Sequence, residues 1–158
     1  MDDTALNDLE NRDMTKRILI AEDDLLLREL LKARLEDTGI EYQTASDGAE
    51  AMSMLDAGAF DMILLDLRLP RIDGLQVLQA IRANPLLRDT RVIVLTASRS
   101  DADIDEAERL GVDSYLSKPV DIDRLVDRIE MVLDPDGRKA QQTWLVEDYT
   151  DEDIVLRS

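Results

Sequence analysis

Apolar positions along this chain alternate between two rhythms. Arg17 to Ala21 (RILIA), Asp61 to Asp66 (DMILLD) and Arg91 to Thr96 (RVIVLT) are short runs apolar at consecutive positions, as in a strand covered on both faces. Between them the apolar residues fall three and four apart, the period of an amphipathic helix. The spacing predicts a helix from about Asp24 to Asp37, with Leu27, Leu30, Leu31 and Leu35 on one face and Gly39 as its stop. Glu41 to Ser46 alternates like a strand, and Asp47 caps a helix carrying Ala51, Met54 and Leu55 as far as Gly58. Leu75, Val77, Leu78 and Ile81 mark a helix that ends at Asn84-Pro85, because the residue before proline resists the α region. A polar helix spans Asp101 to Leu110, and Ser114 to Leu116 forms a short fifth strand. The last helix runs from Asp121 to Leu133 with Ile122, Leu125, Val126, Ile129 and Leu133 inward. Five βα units in series imply a doubly wound α/β domain: a five-stranded parallel sheet, helices on both faces, joined by right-handed crossovers.

Two segments fall outside that domain of residues 16–133. Residues 1–15 form an acidic arm without apolar periodicity, read as disordered, and Met14 is an alternative start. Asp134-Pro135-Asp136-Gly137 has the chemistry of a turn and opens a tail, residues 134–158. That tail carries Trp144, Leu145, Val146 and Tyr149 in a chain with only 3% aromatic residues, so it is expected to dock, on the domain itself, on a second copy in a homodimer, or on a partner.

Charge and missing residue types narrow the chemistry. The 158 residues hold 19 basic and 36 acidic side chains, a formal charge of −17, which opposes direct binding to nucleic acid or to anionic lipid. The chain has no cysteine and no histidine, so disulfides, thiol nucleophiles, Ser-His-Asp triads and zinc sites of the usual kinds are excluded. With neither a signal peptide nor an apolar run of membrane-spanning length, the expectation is a soluble, cytoplasmic protein.

In open parallel sheets, ligands sit beyond the carboxyl ends of the strands. Those ends read Glu22-Asp23-Asp24, Asp66, Thr96-Ala97-Ser98 and Ser117-Lys118-Pro119. Acids, a hydroxyl and a lysine therefore converge on one rim. Three hard carboxylates suit Mg²⁺, Lys118 supplies a positive charge and Thr96 a hydroxyl for a phosphoryl group, and Asp66, centrally placed, is the candidate nucleophile for an acyl phosphate. By themselves, Glu22, Asp23 and Asp24 read first as a solvated helix start, and it is their pairing with Asp66 and Lys118 at matching strand ends that points to a site. Asp101, Asp103 and Asp105 imitate a calcium loop but lack its glycine and closing glutamate, so they too read as a solvated helix start.

Taken in order, ILIAEDD, LLDLRLPRIDG, VLTAS and YLSKP resemble the receiver domain of bacterial two-component response regulators over about Lys16 to Leu133. That resemblance implies a flavodoxin-like strand order, 2-1-3-4-5. It implies that Asp66 accepts a phosphoryl group from a histidine of a sensor histidine kinase or phosphotransfer protein. Glu22, Asp23, Asp66 and the backbone carbonyl of Arg68 are then the Mg²⁺ ligands, Lys118 and Thr96 contact the phosphoryl group, and the Ala97 N–H assists. Thr96 and Tyr115 become the switch pair, with a signalling surface on the fourth helix, fifth strand and fifth helix. The function expected is a stand-alone regulator, not an enzyme, that signals to a downstream protein effector, since the 25 or so residues after Leu133 cannot hold an output module. Two other readings compete: an adaptor that is never phosphorylated, and an aspartyl-phosphate hydrolase. The hydrolase would need a second acid two residues after Asp66, where this chain has Arg68.

Overall fold

A computed structural model describes residues 15–135 and a two-residue strand, Asp153–Ile154. The elements run β1 (Arg17–Ala21), α1 (Leu25–Leu35), β2 (Glu41–Ala45), α2 (Gly48–Ala57), β3 (Met62–Leu65), α3 (Gly74–Ala83), β4 (Arg91–Thr96), α4 (Asp101–Arg109), β5 (Ser114–Ser117), α5 (Ile122–Leu133) and β6 (Asp153–Ile154). The sheet order is β2-β1-β3-β4-β5-β6. Its first five strands are parallel, in the order the resemblance implies, while β6 adds antiparallel to β5. The acidic arm before Thr15, with Met14, and the cluster from Trp144 to Tyr149 lie outside the described residues.

Strand alternation builds two cores. Leu19, Ile63, Val92, Val94 and Tyr115 face α2, α3 and α4, whereas Ile18, Ile20, Leu64, Ile93 and Leu116 face α1 and α5. Every helix opens at a polar cap. Asp24, Asp47, Ser100 and Asp121 each accept a first-turn backbone N–H through the side chain, and the Asp73 N–H is held by Gln76 Oε1 at 3.1 Å. One helical face departs from expectation. Leu31 and Leu35 are buried and Leu27 packs against them, but Leu30 is 46% exposed and joins Leu25 and Leu26 on the surface. With 3.6 residues per turn, Leu30 and Leu31 diverge by about 100°, and the narrow stripe reaching the sheet has room for only one of them. Among the described residues, no helix is long and apolar enough to cross a membrane.

Candidate functional site

Register creates the acid pair. Ala21 of β1 lies opposite Leu65 of β3, so the residue after each, Glu22 and Asp66, emerges beside the other. The Asp66 N–H donates to the Ala21 carbonyl at 3.0 Å, extending the ladder one step past the strands. Glu22 is tied on its other side, its N–H to the Ala45 carbonyl and its own carbonyl to the Arg28 guanidinium at 2.7 Å. Both carboxylates are buried, at 2% and 5% exposure, and the exposed Asp23 completes a group whose oxygens lie within 4.8 Å of one another.

One cation serves this group. Lys118, just past β5, places Nζ 2.8 Å from Asp66 Oδ2 and 2.5 Å from Glu22 Oε1. The first contact is a hydrogen bond; the second is an ion pair whose angles leave Glu22 Oε1 without a hydrogen-bond donor. Burial, and then the Asp66 charge, outweigh Lys118 and push the Glu22 carboxyl up from 4.5 to about 7. For Lys118, burial works downward, yet the hydrogen bond to Asp66 and the negative charge of Glu22 hold the ammonium above its ordinary range. Three carboxylates facing one lysine leave the pocket short of positive charge. A buried carboxylate oxygen without a donor, inside a set of hard oxygens, fits a small divalent cation such as Mg²⁺.

A pH dependence follows from Glu22. Because its folded value lies above its unfolded one, the folded state binds more protons between about 4.5 and about 7. In chelator, the Glu22 contribution to stability is therefore present below that window and lost as pH rises through it. Thermal melts across the window should show wild type losing more stability than Glu22→Gln, with Mg²⁺ restoring wild type at the upper end. Parallel pH profiles for the two proteins would refute the assignment.

The remaining residues singled out from sequence lie on the same rim. Arg68 donates its backbone N–H to Asp66 Oδ1 at 2.9 Å, but its guanidinium is drawn aside to Asp103 at 2.6 Å and Asp73 at 3.7 Å. Thr96 is fully buried at the end of β4, and its carbonyl accepts the Lys118 N–H at 2.9 Å. Ala97 follows it and is exposed. Tyr115 is fully buried, its hydroxyl donating to the Ser98 carbonyl at 2.9 Å, and burial pushes the phenol up. Close contacts unite Glu22, Asp23, Asp66 and Lys118; Thr96 stands at the end of β4 with Ala97 next to it, and Tyr115 is tied to the loop that follows through the Ser98 carbonyl.

Three features of the site escape the sequence. Ser98 is a hub: its N–H donates to Thr96 Oγ1 at 3.3 Å, its carbonyl accepts from Tyr115, and its hydroxyl donates to Asp103 at 2.6 Å. Asp103 is accordingly no merely solvated helix residue, because Arg68 and Ser98 hold it at 14% side-chain exposure. Gly74 presses against the backbone of Asp66 and Leu67, with its N–H on the Leu67 carbonyl at 3.0 Å. The IDG of the third-strand motif was the available signal for Gly74; nothing local signalled the Ser98 and Asp103 contacts.

Residues 18–130 match the family model described as response regulator receiver domain. The chain is 38% identical over 123 residues to the transcriptional regulatory protein CrdR of Helicobacter pylori, covering 78% of this chain and 57% of that protein. It is 42% identical over 113 residues to the response regulator protein PmrA of Pseudomonas aeruginosa, covering 72% and 50%. It thus spans about half the length of the curated relatives it matches. Among solved structures, the receiver domain of the Francisella response regulator 1452 superposes with a TM-score of 0.70 at 31% identity, covering 78% of this chain and 100% of that one. The chemotaxis response regulator CheY4 of Vibrio cholerae gives 0.69 at 27% identity, covering 75% and 98%.

Proposed function

The chain belongs to the response regulator receiver domain family, and from that premise we propose that Asp66 takes a phosphoryl group from a histidine of a sensor kinase or phosphotransfer protein, the modified domain then signalling by contact with another protein. The observation that carries this reading is the position of Asp66: buried, beside Glu22, with Lys118 Nζ 2.8 Å from Oδ2. A carboxylate oxygen of Asp66 attacks phosphorus as the N–P bond of the donor breaks, and the electron pair of that bond stays on the departing imidazole. The product is a mixed carboxylic–phosphoric anhydride.

Each neighbour has a part in that transfer. The Arg68 N–H fixes Oδ1 and so orients the carboxylate. Lys118 follows the charge from Asp66 to a phosphoryl oxygen, with the Thr96 hydroxyl and the Ala97 N–H as further donors. Glu22, Asp23, Asp66 and the Arg68 carbonyl would hold Mg²⁺, whose charge offsets the repulsion between the acids and the incoming phosphoryl oxygens. Exposed Leu25, Leu26 and Leu30 at the rim end of α1 offer an apolar seat to the donor protein. The Ser98 hub supports Thr96 and Tyr115 as the switch pair. A Thr96 hydroxyl drawn toward phosphate releases the Ser98 N–H, and Tyr115, bonded to the carbonyl of that same residue, senses the shift. Phosphorylation then favours one of two existing arrangements. Self-catalysed hydrolysis returns the domain to its resting state, and the proposed setting is the cytoplasm.

Incubation with acetyl phosphate and Mg²⁺ should add one phosphoryl group, seen by intact mass and removed by hydroxylamine as an acyl phosphate is. A protein that stays unmodified with this donor and with a phosphorylated kinase would be the non-phosphorylated adaptor instead.

A further inference from the structure

Three carboxylates facing one lysine already leave the pocket short of positive charge, and a phosphoryl group on Asp66 would deepen that deficit. One further cation starts from the same spot. The Arg68 N–H donates to Asp66 Oδ1 at 2.9 Å, so the arginine backbone is fixed beside the nucleophile. Its guanidinium is nevertheless drawn across the rim to the first turn of α4, where Nη2 donates to Asp103 Oδ2 at 2.6 Å. That hold is by a single nitrogen. Nη1 stands 3.7 Å from Asp73, an ion pair without a hydrogen bond. Asp103 has a second partner, because Ser98 Oγ donates to the same carboxylate oxygen at 2.6 Å. The Asp103 side chain is 14% exposed and that of Arg68 58%, so the acid is anchored and the arginine is the member that can leave.

We propose that Asp103 holds the Arg68 guanidinium in reserve and that a phosphoryl group on Asp66 takes it over, so that Arg68 is a further phosphoryl-binding cation and its tie to Asp103 the restraint that modification breaks. This rests on the phosphotransfer reading. The exchange favours the phosphoryl group, whose three oxygens and charge of nearly two can accept a guanidinium through two parallel bonds, where Asp103 receives one. Rotation about the arginine's own side-chain bonds suffices, since its backbone N–H stays at the reaction centre. On losing Arg68, Asp103 keeps the Ser98 hydroxyl and is not stranded. The consequence is a route from Asp66 to α4 that does not pass through Thr96. Apolar packing holds α4 weakly, because Ala107 is its one buried residue whereas α5 buries six. At the far end Arg82 donates to the Leu110 carbonyl at 2.6 Å and to the Gly111 carbonyl at 3.2 Å. Release at Asp103 therefore loosens the first turn of α4 while the last turn stays held.

Reciprocity sets the test: if a group bound at Asp66 breaks the tie, then breaking the tie favours binding at Asp66 by the same factor. Beryllofluoride with Mg²⁺, a mimic of the phosphoryl group, is titrated against the full chain as wild type, Asp103→Asn, Arg68→Gln and the double variant, with binding read from thermal melts. Asp103→Asn should half-saturate at a roughly threefold lower concentration than wild type, the scale of a part-exposed ion pair. In the Arg68→Gln background the same change should bring no gain. A general loss of negative charge would act in both backgrounds, and more strongly where no guanidinium neutralises Asp103. That result, or no gain in Asp103→Asn itself, overturns the proposal. Melts of the four proteins in chelator read the resting tie as non-additivity, and additive losses there overturn it as well. A wild type that beryllofluoride does not stabilise fails the phosphotransfer reading and takes the exchange with it, while the chelator melts still report the tie.

Discussion

Asp66→Asn should give a folded protein that acetyl phosphate with Mg²⁺ leaves unmodified, while wild type gains one phosphoryl group. The amide nitrogen lone pair is delocalised and the amide oxygen carries no formal charge, so neither replaces a carboxylate nucleophile. Folding should survive. Truncating one member of a buried ion pair is costly when the partner charge is stranded, by about 3–5 kcal/mol in the usual case. Here Lys118 is not stranded, because Glu22 Oε1 stands 2.5 Å from Nζ on its other side. The substitution also takes one negative charge from a pocket where three carboxylates face one lysine. Relief of that repulsion offsets the lost hydrogen bond, so the variant should melt no lower than wild type in chelator. Intact mass after acetyl phosphate treatment and thermal melts decide the matter together. An undiminished adduct on a folded Asn variant would move the nucleophile to another residue.

The fold and the acid cluster were legible because both depend on local rules. Consecutive apolar residues such as Ile18, Leu19 and Ile20 identify a strand covered on both faces, and the strand-end rule then collects Glu22, Asp66 and Lys118 without any knowledge of distance. What stayed hidden depends on where separate loops come to rest. The Arg68 bridge to Asp103 joins residues 35 apart in sequence, and neither has a periodicity that points to the other. Leu30 fits the helical period as well as Leu31 does, and only the width of the contact with the sheet separates them. β6 has two residues, too few for any alternation to register. Two of the three Ser98 contacts use its backbone N–H and carbonyl, which carry no residue-type signature.

Gly74→Ala should damage both stability and the site, although Gly74 carries no chemistry of its own. A methyl group built there would stand 2.0 Å from the Asp66 carbonyl oxygen and 2.6 Å from the Leu67 Cα. Both obstacles are backbone, at the end of the strand that presents the nucleophile, so neither can swing away as a side chain would. Overpacking of this kind costs about 1–3 kcal/mol and sometimes more, against roughly 1 kcal/mol that alanine returns through helix propensity at the first position of α3. To make room, α3 must retreat or Asp66 must move. The second response displaces the carboxylate from Lys118, whose hydrogen bond spans only 2.8 Å. A shift of about 1 Å in a reacting group can cost about a hundredfold in rate. Gly39→Ala is the control: Gly39 has φ +80, with nothing within 4 Å of the added methyl and no contact with the rim. It should lose about 1 kcal/mol of stability through the left-handed backbone alone and keep the wild-type phosphorylation rate. Melts and acetyl phosphate kinetics on the two variants separate a clash at the nucleophile from a general loss of stability. If both lose stability alike and Gly74→Ala is still modified at the wild-type rate, the packing of Gly74 against Asp66 does not position the site.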